Sequence, residues 1–289
     1  MIDPAIWLRL SEYDWFSRIG LGYPAVWCWI FAWVFAFGAC WGSFLNVCIW
    51  RIPRGESLSK AASHCTVCGA KIKWFDNIPV LSFLVLRGRC RYCKKPYSCR
   101  YFFVELFCGI AFALLLLKVG LSRQLWSVYP NYAAAVFFAL GCAWIDCQHR
   151  IIPDKMNYSA MILALIFAGL MPQFWNESVW WKGIFWSFIS GVVPMLFVKL
   201  FSFSGRLIVR KDVIGKGDVK FLAAMGMLLG IPGSIFILAA ASISGFFYGL
   251  FSKREWGVWI PFGPFLALGV LIWIFADKWI LSWYFNIKM

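Results

Sequence analysis

Hydrophobic residues along the chain form long runs that are separated by short polar segments. About 20 helical residues cross the hydrocarbon core of a bilayer. Eight runs reach or approach this length: residues 24–50, 101–119, 132–147, 156–171, 183–201, 219–231, 233–251 and 258–281. The pattern predicts an all-α polytopic membrane protein with about eight transmembrane helices, the sixth and seventh forming a hairpin that turns at Pro232 and Gly233.

The sixth run, 219–231, is short for a membrane span. Its thirteen residues make a helix of about 20 Å, against a hydrocarbon core of about 30 Å. Either the helix begins upstream and includes Asp218, or it does not fully cross. Both alternatives place the Asp218 carboxylate in or close to the hydrocarbon core. A charged group there costs free energy, so its presence indicates a function.

Lys and Arg concentrate in four of the polar segments: 51–100, 148–155, 202–217 and 252–256. With eight spans and both termini outside, the positive-inside rule places all four segments in the cytoplasm. The predicted organisation is an interfacial segment 1–23, a first transmembrane helix 24–50, a cytoplasmic loop domain 51–100 and a transmembrane core 101–289. Asp146 and Asp218 then lie at the cytoplasmic ends of their spans.

Composition agrees with a membrane protein and limits the other classes. Of 289 residues, 62% are hydrophobic and 14% charged, where soluble proteins have about 25% charged residues. The net charge is +15, but segment 51–100 supplies nine of these charges (eleven Lys and Arg minus two acids). A basic loop between apolar spans indicates topology and anionic lipid headgroups, so no nucleic acid partner is predicted. The charged N-terminal segment does not have the pattern of a cleavable signal peptide.

Four of the eleven cysteines form two C-x-x-C pairs in the basic loop, Cys65 with Cys68 and Cys90 with Cys93. This spacing is typical of a structural zinc site with four thiolate ligands. A loop of this length buries little core of its own, so a metal would stabilise it. Disulfides are disfavoured in the cytoplasm. A redox dithiol in either pair is the alternative.

Asp146 and Asp218 are candidates for an acid–base pair. Two neighbouring carboxyls share a proton, so that one can accept a proton from water while the other donates one to a carbonyl oxygen. Each acid also has a purely structural interpretation: Asp218 could cap its helix, and Asp146 could pair with Arg150 four residues later. The residues alone leave the two interpretations about equal.

Several short motifs follow one another along the chain from residue 42 onward. They are Gly42-Ser43-Phe44-Leu45-Asn46-Val47 with Arg51 and Pro53, the two C-x-x-C pairs, Asn77-Ile78-Pro79, Arg87-Gly88-x-Cys90, Arg100-Tyr101, Val104-Glu105, Asp146-x-x-His149, Ile152-Pro153-Asp154, Gly215-Lys216-Gly217-Asp218-Val219-Lys220 and Ile260-Pro261-Phe262-Gly263-Pro264. In these motifs the chain resembles the type IV prepilin peptidases, membrane aspartic proteases of the GxGD class.

The resemblance implies a function, a location and site residues. It implies cleavage of basic leader peptides after Gly in prepilins or pseudopilins, at the cytoplasmic face of the bacterial inner membrane, with Asp146 and Asp218 as catalytic residues. It assigns zinc to the four loop cysteines and, because the long cysteine loop goes with bifunctional members, it implies N-methylation with S-adenosylmethionine. Glu105 and Gly88 are candidates for the methyl-donor site. One departure is Gln148, where many relatives have an acid.

A basic leader should contact acids, although the loop is basic. We expect headgroups to neutralise the loop and one or more of Glu56, Asp76, Asp154 and Asp212 to contact the leader. Two other functions fit the pattern of spans: a proton-coupled transporter, which also uses intramembrane acids, and a non-catalytic assembly factor stabilised by zinc. Loss of leader cleavage on Asp146→Asn or Asp218→Asn would separate the peptidase from both.

Overall fold

The computed structural model describes residues 24–59, 63–120, 125–209, 214–251 and 261–285. The predicted interfacial segment 1–23 and Asp212 lie outside these residues. Regular structure in the described part is helical, with two short 3-10 helices, Trp74–Asn77 and Pro172–Trp175. The α-helices are α1 Pro24–Arg51, α2 Leu81–Leu86, α3 Arg100–Val119, α4 Leu125–His149, α5 Asp154–Leu170, α6 Trp180–Val209, α7 Lys216–Phe251 and α8 Gly263–Phe285.

Six of the described helices are long and apolar enough to cross a membrane: α1, α3, α4, α6, α7 and α8. Helix α5, with 17 residues, is shorter than these. Helix α7 consists of two helical limbs joined at Gly230. With α7 counted as two limbs, a helical segment lies at each of the eight predicted runs, and the prediction of an all-α polytopic membrane protein is confirmed.

The limbs of α7 form a hairpin. In the second limb, Gly233 lies against Trp273 and Gly245 against Phe265, so this limb runs antiparallel to α8. Gly245 therefore returns to the end of α8 that contacts Asp146 through Gly263, which is also the end where Asp218 lies. The chain reverses at Gly230, where φ is +83°, a conformation that glycine adopts without strain. The predicted turn at Pro232 and Gly233 is wrong by two to three residues, since Pro232 already lies inside the second limb.

Helix boundaries differ from the predicted runs mainly at polar residues. Helix α4 begins at Leu125, seven residues before the predicted start at 132, and contains Pro130. Asn131 is buried within it and its side-chain amide donates a hydrogen bond of 3.0 Å to the carbonyl of Ser127, one turn earlier. A polar side chain whose amide group donates within its own helix does not require a loop.

The first compact unit comprises residues 24–117. In it α1 and α3 approach closely through small residues: a Cβ on Gly42 would lie 2.7 Å from the Cα of Glu105, and one on Gly38 2.8 Å from the carbonyl oxygen of Cys108. Asn46, on α1, donates a 3.0 Å hydrogen bond to the carbonyl of Tyr101 on α3. Small residues and a bridging amide are typical of packed transmembrane helices, so Asn46 acts here as an interhelical contact.

The second compact unit begins at Lys118 and includes α4 to α8. The first limb of α7 packs on α6 so closely that a Cβ on Gly226 would lie 2.1 Å from the carbonyl oxygen of Ser190. Nearby, the Ser187 hydroxyl donates to the carbonyl of Met227 at 3.0 Å. Helices α4 and α8 run antiparallel, because Asp146 contacts Gly263 at one end and Tyr132 contacts Asp277 at the other.

Candidate active site and metal centre

Asp146 lies in the last turn of α4 and is 6% exposed. Its Oδ2 accepts a hydrogen bond of 2.7 Å from the backbone N–H of Gly263, the first residue of α8. The neighbouring N–H of Phe262 also bonds this carboxylate. Backbone amides at the N-terminus of a helix stabilise a negative charge. The start of α8 therefore presents two backbone donors to the Asp146 carboxyl.

Gly263 leaves no room for a side chain beside Asp146. A Cβ at this position would lie 2.8 Å from the Cβ of Asp146 and 3.0 Å from its Oδ2. Because Cβ atoms do not approach other heavy atoms this closely, only glycine lets the start of α8 contact the carboxylate. This close contact explains the glycine in the motif Pro261-Phe262-Gly263-Pro264.

Asp218 occupies the third position of α7, which begins at Lys216. Its carboxylate accepts a hydrogen bond from the backbone N–H of Gly215. An acid at the third position that bonds back to the residue before the helix is half of a capping box. The interpretation of Asp218 as the N-cap residue is therefore wrong, because Asp218 lies inside the helix and bonds back to Gly215. The alternative in which α7 begins upstream and includes Asp218 is the observed one.

The fold brings the two carboxyls together from positions 72 residues apart in the chain. The charge on Asp146 acts on the carboxyl of Asp218, and both act on the buried thiol of Cys142, one turn before Asp146. The observed hydrogen bond of Asp146 goes to Gly263, where the structural interpretation expected Arg150. In this arrangement one of the two acids can accept a proton while the other donates one.

The four loop cysteines also come together, in the first unit. Their Sγ atoms all lie within 4.8 Å of one another. The separations are 3.9 Å between Cys65 and Cys93 and 4.0 Å between Cys68 and Cys90. A tetrahedron of thiolates about 2.3 Å from zinc has edges of about 3.8 Å. The four donors therefore fit a tetrahedral metal ion.

Two similar turns present these thiols. In the first, Gly69 N–H bonds the carbonyl of Cys65 at 2.9 Å; in the second, Lys94 N–H bonds that of Cys90 at 3.0 Å. Isolated β-bridges, His64 with Lys71 and Arg89 with Pro96, close the turns. Each turn brings the two thiols of one C-x-x-C pair to the same side of the loop.

The proton affinities of two thiols differ within this cluster. Backbone N–H groups of Cys68 and Val67 lower the pKa of the Cys65 thiol to about 6. The N–H of Ala70 acts in the same direction on Cys68, but burial and the neighbouring cysteines outweigh it and raise the pKa of Cys68 to about 11. Closely spaced thiols thus resist losing all their protons together, and a bound dication would remove this restriction because metal ligation displaces thiol protons.

Glu105, a candidate for the methyl-donor site, is buried in the first unit. Its Oε2 accepts a 2.8 Å hydrogen bond from the N–H of Val80, and Ser43 also bonds the carboxylate. Val80 has φ +65° and ψ −52°, and the N–H of Leu81 bonds the carbonyl of Pro79 at 2.7 Å. This is a γ-turn of the rare, strained type, so Glu105 holds a strained turn in place.

Gly88, the other candidate, has a backbone role in the cysteine loop. It has φ +66°, and a Cβ there would lie 2.9 Å from the ring of Phe83. Its N–H bonds the carbonyl of Phe83, and its carbonyl accepts from Tyr97 N–H, each at 2.9 Å. Both the backbone conformation and the close ring explain a glycine at this position.

Two of the four acids expected to contact a basic leader are already bound to cations. Asp76 accepts two hydrogen bonds from the guanidinium of Arg91, at 2.5 and 2.7 Å, which lower the pKa of its carboxyl. Asp154 accepts two from Lys220, both at 2.7 Å. Glu56 is exposed, and Asp212 lies outside the described residues. Asp154 is exposed as well, but both of its oxygens bind Lys220, so Glu56 is the more accessible of the described acids.

Sequence reasoning did not identify two groups beside the carboxylates. One is the pair of N–H groups of Phe262 and Gly263, which belong to a motif that had no assigned role. The other is Asn157, buried on α5, whose side chain donates a 3.3 Å hydrogen bond to the carbonyl of Gly217. A polar side chain in an apolar run was the available signal for Asn157.

Comparison with known proteins assigns the chain to a family. Residues 36–119 match the family described as the bacterial peptidase A24 N-terminal domain, and residues 133–250 match the type IV leader peptidase family. No solved structure matches the chain.

Curated relatives cover most of its length. The chain is 31% identical to the prepilin leader peptidase/N-methyltransferase of Vibrio cholerae over 82% of this chain and 93% of that protein. It is 33% identical to the type 4 prepilin-like proteins leader peptide-processing enzyme of Escherichia coli over 82% of this chain and 90% of the relative. With the prepilin leader peptidase/N-methyltransferase of Legionella pneumophila it shares 31% identity over 97% of this chain and 98% of the relative. The chain therefore belongs to the type IV leader peptidase family.

Proposed function

We propose that this multi-pass membrane protein removes the leader peptide from prepilins or pseudopilins and then methylates the new N-terminus. The observation that carries the peptidase part is the approach of Asp146 and Asp218 at one end of the second unit, where each accepts a backbone hydrogen bond. The relatives named as leader peptidases support the choice of substrate.

The hydrogen bonds suggest different roles for the two acids. Two amides at the start of α8 donate to Asp146, so it is the better carboxylate and serves as the general base. Asp218 holds the shared proton and serves as the general acid. Asp146 takes a proton from water, the oxygen attacks the carbonyl carbon of the scissile bond, and Asp218 protonates the carbonyl oxygen. The tetrahedral diol then breaks its C–N bond as a proton passes to the leaving amine.

The methyl-transfer part rests on the first unit, whose residues match the A24 N-terminal family. The freed amine would attack the methyl group of S-adenosylmethionine, form an N–CH3 bond and release S-adenosylhomocysteine and a proton. Cys65, Cys68, Cys90 and Cys93 would hold a zinc ion that cross-links the loop, because four thiolates leave no open coordination position for catalysis. Glu105 and Gly88 remain candidates for binding the methyl donor.

The location follows from the proposed substrate. Leader peptides begin in the cytoplasm and are basic, so the active site would face the cytoplasm at the inner membrane, with anionic lipid headgroups around the basic loop. The same charge distribution gives no reason to propose a nucleic acid partner.

The test is cleavage of a synthetic prepilin by the purified full chain in detergent. Asp146→Asn and Asp218→Asn should each abolish cleavage, and both variants should still methylate a substrate that already lacks its leader. Normal cleavage by either variant would exclude the proposed acid–base pair. No cleavage by the wild-type chain, together with ion-dependent substrate flux in proteoliposomes, would support the transporter instead. A wild-type chain with neither activity would support the assembly factor.

A further inference from the structure

The N-terminal turn of α5 and the N-terminal turn of α7 contact each other at three points. Asp218 lies in this turn of α7, between Gly217 and Lys220, and both of these neighbours are held by α5 or by the residues just before it. The contacts therefore enclose the turn that carries one proposed catalytic acid, without touching its carboxylate.

The first two points of contact involve Gly217. A Cβ on Gly217 would lie 3.0 Å from the Cβ of Ile152 and 3.1 Å from its carbonyl oxygen, so the bare backbone packs directly on the segment before α5. From the side, Asn157 donates its side-chain amide to the Gly217 carbonyl at 3.3 Å. Asn157 is only 1% exposed. A buried amide is costly without a partner, so this hydrogen bond fixes both groups.

The third point is an ion pair one turn further along. Lys220 Nζ lies 2.7 Å from each carboxylate oxygen of Asp154, and it also lies 5.3 Å from the ring centroid of Tyr158. The two charged side chains remain partly exposed, 31% for Lys220 and 55% for Asp154. With both of its oxygens bound to Lys220, Asp154 is not a free acid.

We propose that Asp154, Asn157 and Lys220 are positioning residues that fix Asp218 for the cleavage step, and that Asp154 does not contact the basic leader. The proposal rests on the peptidase function proposed above. It assigns a role to these three residues together, which we call the α5–α7 clasp.

Magnitudes distinguish positioning from a simple contribution to stability. A partly exposed ion pair contributes little to stability, so breaking the Asp154–Lys220 pair should hardly change thermal unfolding. A displacement of about 1 Å at a reacting group can lower a rate by about 100-fold. A large loss of kcat with an unchanged unfolding temperature is therefore the signature of the clasp.

The experiment measures kcat and KM for cleavage of two prepilin peptides by the full chain in detergent. One peptide carries a basic leader, and in the other every leader Lys and Arg is replaced by Gln. The variants are Asp154→Asn, Lys220→Met, Asn157→Ala, the single reversals Asp154→Lys and Lys220→Asp, and the double reversal. Lys182→Met is the matched control, because it breaks another exposed ion pair, with Glu177, outside the clasp.

We expect Asp154→Asn and Lys220→Met to lower kcat about tenfold or more for both peptides, with KM changed less than twofold and the unfolding temperature unchanged. The double reversal should regain kcat over either single reversal. Asn157→Ala should also lose kcat, and Lys182→Met should behave as wild type.

Three results would overturn the clasp. A rise in KM for the basic leader alone on Asp154→Asn would make Asp154 a leader contact. Normal kcat in both Asp154→Asn and Lys220→Met, or a double reversal no better than the single ones, would remove the positioning role. These outcomes are separate from failure of the peptidase function itself, in which the wild-type chain would not cleave, or Asp218→Asn would cleave normally.

Discussion

A buried ion pair far from the proposed active site allows a quantitative prediction about stability. Lys118, near the end of α3, pairs with Asp277 on α8 and also bonds the carbonyl of Ile274. The Tyr132 hydroxyl on α4 donates to the other carboxylate oxygen of Asp277 at 2.8 Å. The side chains of Lys118 and Asp277 are 15% and 6% exposed. One buried carboxylate thus binds two side chains of the second unit.

The perturbation is Asp277→Asn, which leaves the ammonium of Lys118 without its counter-charge. Breaking one partner of a buried pair costs about 3–5 kcal/mol. Lys118 keeps its bond to the Ile274 carbonyl, so we expect the lower end, about 3 kcal/mol. Tyr132→Phe removes one hydrogen bond to a charged acceptor and should cost about 2 kcal/mol. At about 2–4 °C per kcal/mol, Asp277→Asn should lower the unfolding temperature by about 6–12 °C.

The assay is thermal unfolding of the purified chain in detergent, for the single variants and for the double variant Lys118→Met with Asp277→Leu. Replacing a buried ion pair by apolar side chains of similar volume is often neutral, so the double variant should unfold above Asp277→Asn. It should still unfold below the wild type, because Asp277→Leu leaves the buried Tyr132 hydroxyl without its acceptor. Lys182→Met, which breaks an exposed pair, should change the unfolding temperature by about 2 °C or less.

Two outcomes would refute this reasoning. An Asp277→Asn protein that unfolds within about 2 °C of the wild type would show that the ammonium remains solvated or finds another partner. A double variant that loses as much stability as the single variants together would show that the side chains act independently. Since Asp277 lies fourteen residues along α8 from Gly263, about 21 Å of helix, leader cleavage at low temperature should persist in all of these variants.

Three further predictions concern glycines and the cysteine cluster. The wild-type chain should bind about one zinc ion, measured by atomic emission on purified protein, and Cys68→Ser should lower this amount. The control Cys28→Ser should leave it unchanged. Equal zinc in both variants would contradict the four-thiolate site. Gly263→Ala should reduce leader cleavage by about 100-fold, because the added Cβ would lie 2.8 Å from the Cβ of Asp146. Methylation of a leaderless substrate should continue. Unimpaired cleavage would show that the start of α8 can move away from Asp146. Gly226→Ala should lower the unfolding temperature by several degrees, since its Cβ would lie 2.1 Å from the Ser190 carbonyl oxygen and overpacking costs about 1–3 kcal/mol; an unchanged unfolding curve would mean that α6 and α7 separate without cost.

The apolar runs predicted the helices well because lipid requires each spanning segment to satisfy its own backbone. The boundaries of the helices were harder to predict from the sequence. Asn131 and Pro130 were interpreted as a loop, although the Asn131 side chain bonds within the helix. The reversal at Gly230 was predicted at Pro232, because proline is a strong turn signal but is also compatible with the first turn of a helix.

The candidate site was predictable to the extent that its chemistry is in the side chains. The cysteine spacing predicted a cluster that the fold assembles. The motifs selected Asp146 and Asp218, and the structure places them near each other. By contrast, the amides that bond Asp146 come from the backbone, and backbone groups leave no signal in a sequence. The pairing of Asp154 with Lys220 joins residues 66 positions apart, and this depends on how α5 and α7 pack.

The short first limb of α7 limits how a substrate can reach Asp218. Its residues after Lys220, from Phe221 to Gly230, are all buried, whereas Gly215 and Lys216 at its start are exposed. A pilin helix that moves sideways through the lipid would therefore find no open flank along this limb. The exposed first turn leaves an end-on approach open, so we expect the scissile bond to arrive there and an extended segment of the precursor to be cut more readily than a helical one.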